Sequence, residues 1–126
     1  MAARVALELS ECEVLLVTVG HISAFAIGGA SADAMVDLDI IEQGLEDAGR
    51  EALEHTKRQF DGTGVAVAAA YRKGDPAAEI VNAAREAGAD MIIVGSRGRG
   101  QIGGLILGSV SERVLHAAHI PVLVVK

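Results

Sequence analysis

The stretch Met91-Ile92-Ile93-Val94-Gly95-Ser96-Arg97-Gly98-Arg99-Gly100-Gln101-Ile102-Gly103-Gly104-Leu105-Ile106-Leu107-Gly108-Ser109-Val110-Ser111-Glu112 decides how this chain folds. Its first four residues are uniformly apolar and stop at Gly95, the pattern of a strand buried on both faces of a parallel sheet. Glycines at 95, 98, 100, 103, 104 and 108 follow. Such a density costs conformational entropy that a plain connector avoids, so it marks backbone that turns sharply or lies against a ligand. Ser109-Val110-Ser111-Glu112 has the spacing of a capping box and predicts a helix with Ser109 as its cap. The amides and positive dipole end of that helix would face the glycine loop, which suits a phosphate or another anion.

Two phosphate motifs fail here. Walker A requires a lysine after its last glycine, and none stands at that spacing. Gly98-Arg99-Gly100-Gln101-Ile102-Gly103 fits Gly-x-Gly-x-x-Gly, but it lies far from a first strand. The acidic residue required about 20 positions later is also missing.

The loop resembles the ATP-binding branch of the universal stress protein family. That signature is Gly, two residues, Gly, nine residues, Gly and Ser or Thr, matched by Gly95, Gly98 and Gly108-Ser109, with Val110-Ser111 following. The flanks Ala89-Asp90-Met91-Ile92-Ile93-Val94 and His119-Ile120-Pro121-Val122-Leu123-Val124-Val125 look like the family's last two strands. The resemblance implies an α/β, doubly wound parallel sheet, Rossmann-like and of the adenine nucleotide alpha hydrolase type. It implies ATP as ligand, with Mg²⁺ held through the phosphates. Val94, Gly95 and Gly98 would lie along the ribose, Gly108, Ser109, Val110 and Ser111 at the phosphates, and Val19 on the adenine side. Arg97 and Arg99, inside the loop, are candidates for phosphate oxygens. The family also pairs its last strand with a second copy, which here implies a homodimer through Val122–Val125.

The rest of the chain fits this frame. Its 126 residues bound it to a single domain, 1–126, and 51% apolar content with one Tyr and two Phe calls for a core of Val, Ile, Leu and Ala. Eleven basic against seventeen acidic residues, a net charge of −6, argue against nucleic acid or an anionic membrane as partner. The single Cys12 excludes an internal disulfide framework and fits a cytoplasmic, reducing setting. Four histidines show no paired metal spacing.

In chain order the patterns predict a helix over residues 1–9, a strand over 14–19 and a glycine- and serine-rich loop over 21–31. A long helix capped by Asp33 then reaches Gln59, with Leu38, Ile41, Leu45 and Leu53 on its apolar face and Gly44 and Gly49 weakening it. A strand over 65–71 leads to Gly74-Asp75-Pro76, a cap with proline at the first helical position, and to a helix that Gly88 ends. Four strands are expected. The family's fold has one more, a central strand before the first helix, which carries an aspartate used at adenine and ribose. The chain therefore reads as N-terminally truncated relative to that fold. The expected function is an ATP-binding stress-response or signalling domain whose nucleotide alters conformation or partner binding. The alternative is a nucleotide-free dimeric interaction protein that keeps the loop for structural reasons. No serine–histidine–acid set, carboxylate pair or metal motif announces a reaction, so at most slow hydrolysis is expected.

Overall fold

The computed structural model describes residues 11–23, 38–96 and 107–126. Within them the order is β1 (Glu13–Gly20), α1 (Leu38–Arg58), β2 (Ala66–Lys73), α2 (Pro76–Ala87), β3 (Ile92–Gly95), α3 (Ser109–Ala117) and β4 (Val122–Val125). The helix expected over 1–9, the Asp33 cap and most of the 21–31 loop lie outside the described residues.

The strands form two parallel ladders. β1 pairs with β2 from Glu13 opposite Ala66 to Gly20 opposite Lys73. β3 pairs with β4 from Ile92 opposite Val122 to Gly95 opposite Val125. Backbone bonds from Ile92 N–H to the Pro121 carbonyl (2.9 Å) and from Ser96 N–H to the Val125 carbonyl (2.7 Å) lengthen the second ladder at both ends. No ladder joins β1 to β3 among the described residues. Among the described residues the four parallel strands thus stand as two pairs, and the central strand of the expected fold is not among the described elements.

Packing nevertheless brings the two ladders together. Ile92 and Val94 of β3 share a cluster with Ala77 of α2 and with Val114 of α3, which is fully buried. Ile93, pointing the other way, packs on Phe60 together with Val14 and Leu16 of β1 and Val67 of β2. β3 is therefore covered on both faces, as its continuous apolar run predicts. Each fully buried aliphatic side chain of this kind contributes about 1.5–3 kcal/mol.

The caps of α2 follow the sequence closely. An Asp75 Oδ accepts from Ala78 N–H at 3.0 Å, Pro76 opens the helix, and Gly88 closes it in the left-handed region at φ 63°. The apolar face expected on α1 is only partly used. Leu53 is buried, but Leu38, Ile41 and Leu45 stay 37–44% exposed, because β1 and β2 offer two strands for a 21-residue helix.

Candidate functional site

Parallel strands aligned in this way bring their carboxyl ends to one side, and the helix that follows β3 returns its N-terminus there. The segment between Ser96 and Leu107, including Arg97, Gly98 and Arg99, lies outside the described residues, but both of its ends are fixed. Gly108 N–H donates to the Ser96 carbonyl at 2.8 Å, and the Ser111 hydroxyl donates to the Gly95 carbonyl at 2.5 Å. The end of β3 and the first turn of α3 are thereby tied by one backbone and one side-chain bond.

These contacts redistribute the roles expected of the serines. The cap of α3 is Gly108, extended at φ −63°, ψ 152°, and no side chain caps the helix. Ser109 is the first helical residue and is exposed. The expected capping box is therefore absent. Because Gly108 is held extended against Ser96, Ser109 is displaced into the helix, and Glu112 N–H bonds to the Gly108 carbonyl at 3.0 Å in ordinary helical fashion. Ser111 is only 5% exposed and occupied with Gly95, so it acts as a tie within the chain. Val110 is half-buried against the Val94–Val114 cluster.

What remains open to solvent is the Ser109 hydroxyl, beside first-turn amides that have no acceptor within their own helix. Donors of this kind, with the helix dipole behind them, fit an anion and not a cation. Among the described residues no group of three or more His, Cys, Asp or Glu side chains is placed to hold a metal ion. No described helix is long and apolar enough to cross a membrane.

Val94 is buried directly before this turn, and Gly95 is exposed. Val19 lies at the carboxyl end of β1, opposite Arg72 of β2, and so belongs to the other ladder. Next to it, Gly74 N–H donates to the Gly20 carbonyl (3.1 Å), and His21 Nδ1 lies 3.1 Å from the Gly74 carbonyl. A cavity lined by Gly20, His21, Glu42, Leu45, Tyr71 and Lys73 opens at this end of β1 and β2.

In the sequence Asp75 reads only as a cap, and Arg113 carries no local signal. In the structure they form a two-pronged ion pair, Arg113 Nη1 and Nη2 lying 2.6 and 2.8 Å from the two Asp75 oxygens. The Arg113 guanidinium, and after it the Ala78 N–H, hold the Asp75 carboxyl below its ordinary value; Asp75 in turn raises that of Arg113. No spacing rule pairs residues 38 positions apart, and only the packing of α2 on α3 reveals them.

Similarity to known proteins agrees with the fold. The chain is 38% identical over 116 residues to the universal stress protein MJ0531 of Methanocaldococcus jannaschii, covering 92% of this chain and 66% of that one. The solved structure of MJ0577 superposes with a TM-score of 0.73 at 29% identity, covering 99% of this chain and 85% of that chain. A universal stress protein family protein of Arabidopsis thaliana, solved with AMP bound, superposes with a TM-score of 0.64 at 25% identity, covering 97% of this chain and 69% of that one. The Universal stress protein family model matches residues 1–126, and the chain belongs to that family.

Proposed function

We propose that the chain binds an adenine nucleotide, ATP in particular, with its phosphates at the start of α3. The observation that carries this reading is the exposed Ser109 hydroxyl on an N-terminus that no side chain caps. With capping removed as a reason for the serine, an anionic ligand accounts for both the hydroxyl and the neighbouring amides. Ser109 and Val110 would meet phosphate oxygens, with Gly108, buried and bonded to Ser96, giving the close backbone turn beside them and Ser111 holding the turn through Gly95. Val94, Gly95 and Gly98 would follow the ribose, Val19 the base, and Arg97 and Arg99 would add charge. The AMP-bound plant relative supports an adenine ligand in this family. ATP would bring Mg²⁺ through its phosphates and bias the conformation or partner surface of a stress-response or signalling domain. A homodimer through β4 belongs to the same reading, and so does a cytoplasmic location.

Calorimetry with ATP, AMP and GTP on the purified chain tests it, together with Gly108→Val, whose side chain would occupy the approach to the helix start. Saturable ATP binding that Gly108→Val abolishes is the expected result. Heat signals equal in parent and variant, or absent in both, overturn it. The second reading, a nucleotide-free dimeric interaction protein, is favoured by the Ser96–Gly108 and Gly95–Ser111 bonds, which close the loop's ends without a ligand.

A further inference from the structure

The two ladders have no hydrogen bonds to one another among the described residues, so the orientation of α3 relative to β1 depends on side chains. Asp75 stands where that dependence concentrates. On one side the Gly20 carbonyl and His21 hold Gly74, the residue before it. Its own carboxylate caps α2 through Ala78 N–H. On the other side the same carboxylate takes both prongs of Arg113, which lies in the second turn of α3, four residues after Ser109. A path of short polar contacts thus runs from the end of β1 to the helix whose first turn faces the loop.

We propose that Asp75 and Arg113 are a positioning pair that fixes the N-terminus of α3 against the end of β1 and so presets its amides for the anion. This rests on the anion-site reading above. The side chains are 38% and 57% exposed, so the pair adds little to global stability; a planar fork on a carboxylate nevertheless defines direction as well as distance. Two of the five guanidinium N–H donors of Arg113, one on each Nη, are thereby committed to Asp75.

The sign of one substitution separates this role from plain charge. Asp75→Asn keeps a good capping side chain and removes a negative charge near an anion site. If the pair acts only through charge, or if Arg113 is released to grip phosphate, ATP affinity rises. If the pair positions α3, affinity falls, by about two- to fivefold, the size that an exposed ion pair can transmit. Arg113→Gln should fall by a similar factor, and the double variant by no more than either single one. The second arm needs no nucleotide: ¹⁵N order parameters of the Ser109, Val110 and Ser111 amides should drop in both single variants. Raised affinity in Asp75→Asn, strictly additive losses, or order parameters unchanged in both variants would each overturn the proposal. A parent that binds no ATP but loses order at these amides in the variants sinks the anion-site reading and leaves the positioning pair standing.

Discussion

Gly49 of α1 lies against the ring of Tyr71 in β2: a Cβ built on Gly49 would stand 2.6 Å from Tyr71 Cε2 and 2.8 Å from Thr18 Cγ2. The other end of the same ring reaches Gly20, where a Cβ would come 1.9 Å from the hydroxyl oxygen. Tyr71 therefore fits between two glycines, with the Arg50 guanidinium 5.9 Å from its ring centre. Gly49 is the contact that lets a helix approach the β1–β2 ladder closely.

Gly49→Ala and Gly44→Ala should consequently move stability in opposite directions. At Gly44 nothing lies within 4 Å, so alanine should gain about 0.5–1 kcal/mol from helix propensity alone. At Gly49 the clash should outweigh that gain and cost about 1–3 kcal/mol, and Tyr71→Ala should remove most of the penalty. Urea unfolding of Gly44→Ala, Gly49→Ala, Tyr71→Ala and the Gly49→Ala/Tyr71→Ala double variant checks the signs; equal stabilisation by both glycine-to-alanine changes would mean that α1 sits farther from the ladder.

Ser109→Ala separates capping from ligation. Since Gly108 is the cap, the melting temperature should stay within error of the parent. ATP affinity should fall roughly tenfold, as for a lost hydrogen bond to a charged group worth about 1.5 kcal/mol. A lowered melting temperature with unchanged affinity would restore the capping role.

For the proposed dimer, Leu123 is a better probe than Val124. Val124 packs on the Val94–Val114 cluster, so a charge there would damage the fold, whereas Leu123 is 37% exposed on the strand that ends the second ladder. Leu123→Lys should give a folded monomer by light scattering if β4 pairs with its own copy. A variant that keeps the parent's mass as a dimer would place the contact elsewhere.

Acid should destabilise the protein through three carboxylates. Arg50 holds Glu46 below the ordinary range, Arg113 holds Asp75 there, and Arg72 holds Glu86 there. A carboxyl depressed in the folded chain contributes stability that is complete above its unfolded value and is lost as pH falls through the folded one. Thermal melts should therefore be flat from neutrality down to the ordinary values of 4.5 for Glu and 3.8 for Asp, and decline only below them. Glu86 is exposed and the Asp75 and Glu46 side chains are partly exposed, so the slope is shallow, and salt should flatten it. Arg72→Met should weaken it further, and a decline beginning well above the ordinary values would point to other groups.

Strands and helix ends were legible because their signals are local. The continuous apolar run and glycine stop of β3, the Asp75-Pro76 cap and Gly88 each act within a few residues. The turn from β3 into α3 was legible as a glycine and serine spacing, but its division of labour was not. Whether Ser109 or Gly108 caps α3 depends on the Ser96 carbonyl across the loop, and Ser111 is engaged by Gly95 of a strand 16 residues away. The same holds for α1, where Gly49 looked like a weakness until Tyr71 and Thr18 stood beside it.

The division into two ladders has a consequence for how the molecule opens. Among the described residues the strand hydrogen bonds stop at the edges of β1 and β3, and the cluster of Phe60 and Ile93 with Val14, Leu16 and Val67, together with the helices, carries the contact across. If opening follows the hydrogen-bonded ladders, the β1–β2–α1 half and the β3–β4–α3 half should open as separate units joined through α2. Amide protection should then fall into two tiers, and a ligand that tightens α3 against Asp75 should bring them closer together.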